Sequence, residues 1–578
     1  MQDWVRAAAV DAIPEGGGKL FSYLDKRIAL FRTPRGVFAN DNRCPHQGYA
    51  LVRGDVKDGV LTCAWHNWKF ELGSGRCMYG GEAVRSYPVE VRDGQVFVDV
   101  ADPPAEIVRP ELFQSLLEAM GDQDVGRMAR DTMRLQRIGT PLVDVLREGV
   151  RYAAPRAEYG WDHSLATLAD CLRMSTLFDE SLRALPVIQG LSVASENQVR
   201  RPYRPRPDPV DPAAYGSVDE ALRAFPVLVD AERADEAEGL FRGLIAAGVP
   251  APRLRHTLLT AVTDHFLAYG HSMIFCQKAF ELLDRMGWEE ADTVLSPLVP
   301  EMVLGTRYDK LPYMRRFLRS FQAAEVDLGA LAAAPASGSF QRETYRRALT
   351  DGSPEEAFGA LVHALEGGAG VPAVIEETGR AASERLARFD VELDLDDTNE
   401  WGWLDVTHTL TYLSALRWAW SVDPTPEVLR GLFHAAWFVQ WTEQFDERNA
   451  RGRPLPHPTE DAGAVYRAIV DGDPDGAVAL TDGFTGPREE LEHALAKAAV
   501  EDHSVAPIMV AHVVKTAQAA IDESRALGDA PDATIPIAAA ARFLASPKRE
   551  RFVYQATLEA VAVMRGETRR ESDKVREG

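Results

Sequence analysis

Cys44-Pro45-His46-Gln47-Gly48 and Cys63-Ala64-Trp65-His66 decide how this chain begins. As a pattern they read C-x-H, sixteen residues, then C-x-x-H, so each tight segment offers one thiolate and one imidazole. Two thiolates can hold one iron of a [2Fe–2S] cluster while two neutral imidazoles hold the other, an exchange that raises the potential above that of an all-cysteine cluster. Zinc is the other guest a Cys₂His₂ set accepts. Around the motif the chain alternates short β-type runs with turn signals. Arg27-Ile28-Ala29-Leu30-Phe31 precedes Pro34-Arg35-Gly36, Val60-Leu61 precedes Gly73-Ser74-Gly75, and Gly94 to Val100 closes the series. These features predict a small all-β domain over residues 1–105, ending at Asp102-Pro103-Pro104-Ala105.

Residues 1–100 resemble the Rieske domain of bacterial oxygenases and Rieske-type ferredoxins, through the two motifs, the stretch Trp65 to Leu72 and Gly73-Ser74-Gly75. The resemblance implies Cys44, His46, Cys63 and His66 as cluster ligands, and an NAD(P)H-dependent reductase or a ferredoxin as electron donor. Respiratory Rieske proteins carry an extra loop cysteine pair that forms a disulfide. Tyr49 and Ala64 stand in the corresponding loops here, which implies the lower-potential oxygenase type. Five cysteines are odd in number and too few for a disulfide framework, and Cys77 reads as a structural thiol.

At 578 residues the chain predicts several domains. Apolar residues at 46% and charged residues at 26% are those of a folded protein rather than a disordered or membrane one. A net charge of −23 repels nucleic-acid phosphates and anionic lipid. No run of eighteen apolar residues occurs, and Met1-Gln2-Asp3-Trp4 lacks a signal-peptide pattern, so the expectation is a cytoplasmic protein without nucleic-acid or membrane partners.

From residue 106 to 578 the pattern becomes helical, with apolar residues at three- and four-residue steps, and predicts a large all-α domain of helical hairpins. A Pro/Arg connection spans 200–212, and a charged tail runs from Glu567. Three segments, 225–290, 345–420 and 460–525, share an acidic turn, a small-residue helix and a later histidine. Ala237 precedes His271 by 34 residues, Ala357 precedes His408 by 51 and Ala477 precedes His512 by 35, the acidic insertion Asp390–Glu400 accounting for the longer middle interval. If the segments are equivalent, the three histidines converge on one axis. Asp264, seven residues before His271, would share its helical face, whereas His265 would not. Asp405, one turn before His408, can accept from its imidazole N–H. Lys515, on the His512 face within the apolar run Ala506–Val514, is either a snorkelling surface lysine or a buried amine open to carbamylation. His434, among Phe433 to Trp441, is a ligand, a proton carrier or a core residue.

These stretches resemble the questin oxidase-like family, iron-dependent oxygenases of aromatic polyketides. The likeness rests on His408-Thr409-Leu410-Thr411 with Ala415-Leu416-Arg417, on His512-x-x-Lys515 with Ala519, on Gly270-His271 with Lys278 to Leu282, and on Trp161-Asp162-His163. It implies a mononuclear non-haem iron held by His163, His271, His408 and His512, with Lys515 as a fifth ligand. It also implies an oxygenase oxidising an aromatic or quinone substrate with O₂, electrons relayed by the [2Fe–2S] cluster and a homo-oligomer allowed. Two other readings stand beside it. One is a ring-hydroxylating Rieske oxygenase using His265 and His271, which needs a β-rich catalytic domain; the other is an electron-transfer protein on a non-catalytic helical scaffold.

Overall fold

The computed structural model describes residues 3–396, 402–447, 454–548 and 552–566, and divides into two compact units, 1–141 and 142–578. The first opens with eleven strands: β1 (Trp4–Ala9), β2 (Gly18–Tyr23), β3 (Lys26–Thr33), β4 (Gly36–Asp41), β5 (Asp55–Lys57), β6 (Val60–Thr62), β7 (Lys69–Glu71), β8 (Cys77–Tyr79), β9 (Ser86–Tyr87), β10 (Val89–Arg92) and β11 (Gln95–Asp99). They form three antiparallel sheets ordered β1-β11-β10, β2-β3-β4-β9 and β5-β6-β7-β8. The apolar run in β3 is explained by its position. Ile28 and Leu30 enter one core with Val96 and Val98, while Ala29 and Phe31 enter the other with Leu61 and Phe70, so the strand is covered on both faces. Asp58-Gly59 and Asp93-Gly94, all with positive φ, close the β5–β6 and β10–β11 hairpins. Two helices, α1 (Ala105–Asp122) and α2 (Val125–Arg137), complete this unit.

The second unit is helical, and its described residues contain no strand, only isolated bridges such as Leu267–Arg307. The β-rich catalytic domain required by the ring-hydroxylating reading is therefore not the fold found here. The three segments noted in the sequence each contain a succession of helices: Val218–Asp230, Ala234–Ala246, Ala251–Asp264 and His271–Met286; Arg342–Asp351, Pro354–Glu366, Val371–Arg388 and, after two short helices, His408–Val422; Ala462–Val470, Pro474–Asp482, Arg488–Ala499 and Pro507–Ala526. The last helix of each carries His271, His408 or His512. Together with His163–Met174 these three helices pack in a closed cycle, each touching the next. They are buried on almost every face, as a central bundle must be; every residue from His408 to Leu416 is buried.

The acidic insertion falls partly outside the described residues, at 397–401, as does the tail from residue 567. The Pro/Arg connection has no regular structure through residue 211, as prolines at 202, 205, 207 and 209 dictate. It is not a loose linker, because Arg204 makes a two-pronged pair with the buried Glu238 (2.8 and 2.6 Å). No helix among the described residues is long and apolar enough to cross a membrane.

Candidate functional site

Two clusters of donors emerge, one in each unit. In the first, the loops after β4 and β6 are built alike. Cys44 N–H donates to Tyr49 O and Gly48 N–H to Cys44 O; Cys63 N–H donates to Trp68 O and Asn67 N–H to Cys63 O. The fifth residue of each loop, Gly48 or Asn67, takes positive φ, the conformation that Gly and Asn tolerate best. The matched turns point both thiols inward, where Cys44 and Cys63 are buried. Burial pushes the Cys44 thiol up to about 11, and the neighbouring Cys63 sulfur adds to the rise; a cation that draws off both protons relieves that cost. The His46 and His66 rings lie 4.4 Å apart, and the buried Nδ1 of His46 has no protein partner. A nitrogen with an empty lone pair direction, two converging thiols and a second imidazole fit the cluster's donor set. His66 is exposed, and Trp65 beside it is 56% exposed, so one imidazole stands where an electron partner can reach it.

The second cluster joins His163, His271, His408 and His512. His271 Nε2 lies 2.9 Å from His163 Nε2 and 3.0 Å from His408 Nε2; the His512 ring centroid is 4.7 Å from that of His163 and 5.4 Å from that of His408. Ligand atoms of His163, His271 and His512 fall within 4.8 Å of one another. Backbone carbonyls determine the tautomers. Nδ1–H of His271 donates to Ala268 O (2.5 Å), of His408 to Leu404 O (2.6 Å) and of His512 to Ile508 O (2.8 Å). A carbonyl only accepts, so those protons sit on Nδ1 and three Nε2 lone pairs face inward. Lone pairs 3.0 Å apart repel unless a cation lies between them. Imidazoles bound to one transition metal at about 2.0–2.1 Å stand about 3 Å apart when adjacent in its coordination sphere.

Electrostatics agrees with that donor state. Burial holds His271 down to about 3 and His163, His408 and His512 well below the usual imidazole range, with Lys515 as a second cause at His271, His408 and His512. Lys515 is buried, not a snorkelling surface lysine, and its Nζ lies 3.3 Å from His408 Nε2. Burial pushes its amine down to about 7, opposed by Asp170 and aided by Lys278. Two of the imidazoles, His163 and His271, are the first residues of their helices, so their helix dipoles also favour neutral imidazole and any anion bound there.

Of the other residues singled out in the sequence, Asp264 and Asp405 do not stand behind the imidazoles as expected, and His265 and His434 lie outside the cluster. Asp264 ends its helix at Ala251–Asp264, the chain breaks through His265–Gly270, and its carboxylate turns outward to Arg430 (2.7 Å). The seven-residue argument fails because no single helix runs through both residues. His265 pairs instead with Asp230, Asp309 and Arg307. Asp405 accepts from the Gly402 N–H (2.8 Å), and the His408 N–H goes to Leu404 O. His434 is buried between Phe266 and Phe317, at centroid distances of 5.2 and 4.9 Å, and burial pushes it down to about 3. Phe266 and Phe438 lie 4.7 Å apart, Phe438 is 4.9 Å from Tyr269, and the Tyr269 and Phe438 rings are 5.2 and 6.5 Å from that of His408. Trp418 and Trp420 are half-buried and Trp437 and Trp441 buried.

The roles of three groups escaped the sequence reading. Asp170 and Lys278 form a buried pair (2.8 Å), and each lies seven residues beyond a histidine, at 163 and 271, within an unbroken helix; that spacing is the signal that could have found them. Glu301 is buried, accepts from the hydroxyl of Ser272, the neighbour of His271 (3.0 Å), and is pushed up to about 8 by burial.

A family profile described as the Rieske [2Fe–2S] domain matches residues 3–89. The 3-phenylpropionate/cinnamic acid dioxygenase ferredoxin subunit of Photorhabdus laumondii is 31% identical over 96 residues, 16% of this chain and 90% of that protein. The 4β-methylsterol monooxygenase of Methylococcus capsulatus is 38% identical over 88 residues, 13% of this chain; the match spans only 24% of that protein's length. Among solved structures, dicamba monooxygenase bound to dicamba is 31% identical over 18% of this chain and 33% of its own, with a TM-score of 0.17.

Proposed function

The chain belongs through residues 3–89 to the Rieske [2Fe–2S] family, and on that premise we propose that it is an oxygenase whose cluster feeds a mononuclear iron in the helical unit. A reductase or ferredoxin would load the cluster, held by Cys44, His46, Cys63 and His66. His163, His271, His408 and His512 would hold the iron, with Lys515 as a further ligand. When bound, the iron would supply dioxygen activation and the cluster single electrons. The substrate class is an aromatic or quinone ring, as the resemblance to the questin oxidase-like family implies.

The observation that carries this reading is the convergence of inward-facing Nε2 lone pairs whose Nδ1 protons are committed to backbone carbonyls. The chain's own residues prepare the centre in three ways. Carbonyls hold the tautomers, helix N-termini disfavour imidazolium, and Tyr269 with Phe438 walls the His408 side with apolar surface that excludes water. Lys515, as an uncharged amine, can add CO₂ and release a proton to become a carbamate, which turns a neutral nitrogen into an anionic oxygen donor beside His408. The ammonium of Lys515 is the competing source of the positive charge that the lone pairs need. Metal analysis of the full chain separates the two: about three irons per chain supports the proposal, and two irons, cluster only, sinks it. Lys515→Met then loses the third iron if the side chain is a ligand and retains it if not.

A further inference from the structure

Outside the family match, α2 sends one side chain back to the cluster loops. Arg130 Nη1 donates to the carbonyl of His46 (3.2 Å), and its Nε donates to Glu82 Oε1 (2.7 Å), with Nη2 on the same oxygen. Glu82 is buried, and its second oxygen accepts from Arg134 (2.7 Å), which also reaches the buried Asp131 (2.9 Å). Ser115 of α1 donates its hydroxyl to Asp131 (2.6 Å), so both helices are tied into the chain of charges. Glu82 follows Gly80-Gly81 on the β8–β9 connection. A Cβ at Gly80 would come within 2.4 Å of the Trp68 ring, and that ring stacks on His46 at 5.0 Å and 8°. One connection thus presses an aromatic plate onto the imidazole of His46 and holds a guanidinium on its carbonyl.

We infer that Arg130 is a positioning residue for the cluster, and that the Arg130–Glu82 pair sets its reduction potential by charge. The inference rests on the cluster reading. Reduction adds one negative charge to the cluster. A guanidinium hydrogen-bonded to the ligand loop favours that state, and the Glu82 carboxylate opposes it. Arg134 pairs with Glu82 and with Asp131, Arg127 pairs with Asp131 behind it, and all three are retained in the variants below.

The test is an EPR-monitored redox titration of the full-length, cluster-loaded protein. Arg130→Gln should shift the oxidised-to-reduced ratio at fixed potential about tenfold toward the oxidised form, equivalent to about 59 mV for a one-electron couple. Glu82→Gln should shift it the other way, the double variant should return close to the starting value, and Arg130→Lys should keep the potential within twofold. Shifts of the same sign in both single variants, or none beyond twofold in either, would overturn the inference, because a merely structural contact carries no charge sign. If Arg130→Gln fails to hold the cluster, Glu82→Gln decides alone: an upward shift supports, an unmoved potential refutes. Absence of a Rieske-type EPR signal from the unmodified protein would remove the cluster reading itself, whereas an intact signal with an unmoved potential removes only the role of Arg130.

Discussion

The Cys44 and Cys63 loops draw four donors from the 23 residues 44–66, whereas the four helical histidines span positions 163 to 512. In the loops, hydrogen bonds inside each turn orient the ligand, so donor and support share a few consecutive residues. In the bundle the support is also local, a carbonyl three or four residues back for His271, His408 and His512, but the donors meet only after four helices have packed. The loop cluster therefore has a sequence signature, and the bundle cluster has a packing signature. The first should survive damage to the second, and the reverse should also hold.

Independence is tested most severely by deleting one donor at a time. Cys63→Ser should abolish the visible absorption and EPR of the cluster entirely while leaving about one iron per chain, measured by metal analysis. His271→Ala should do the opposite, keeping the cluster spectrum and losing the remaining iron together with substrate oxidation. Loss of both metals in either variant would show that the two centres are one cooperative unit and break the comparison.

The same contrast explains what could be read before the structure was known. The strands, the paired Cys/His loops and the change from β to helix were legible because each is a short-range pattern: period two in β3, Asp-Gly at hairpins, Cys and His at loop spacing. The histidines at 163, 271, 408 and 512 could be named as a set, yet their supports were misassigned. Asp264 and Asp405 were expected behind the imidazoles, but neutral carbonyls occupy those places, and a carbonyl has no residue signature. Seven-residue spacing pointed upstream to Asp264 across a helix break that only tertiary structure reveals, at Ala268 and Tyr269 with positive φ. Downstream, where the helix is unbroken, the same rule leads to Lys278.

The buried Asp170–Lys278 pair sharpens the point, because it supports the bundle without touching the loops. Asp170→Asn leaves an unpaired ammonium in the bundle and should cost about 3–5 kcal/mol in the stability of the helical unit, measured by denaturant unfolding. Lys278→Met should cost less. Burial already pushes Asp170 up to about 6 against the pull of Lys278, so without its partner the carboxyl can take a proton and become neutral. Equal costs for the two variants would mean that the pair is not buried in solution. Neither change should alter the cluster spectrum.

The smallest expected effect is a pH dependence confined to the bundle. Glu301 is pushed up to about 8 in the folded chain from an ordinary value of 4.5, so between those limits the native state holds a proton that the unfolded chain has released. Its contribution to stability is fully present below about pH 4.5 and is lost as pH rises through about 8, with a slope of at most about 1.4 kcal/mol per pH unit. Glu301→Gln keeps an acceptor for the Ser272 hydroxyl and removes the titration. The difference in unfolding free energy between the two proteins should therefore change steadily in favour of Gln from pH 5 to 8, and a difference that stays flat over this range would show that Glu301 is ionised in the native bundle. Glu301 belongs to the helical unit and not to the loops, so the cluster's absorption should follow the same course with pH in both proteins.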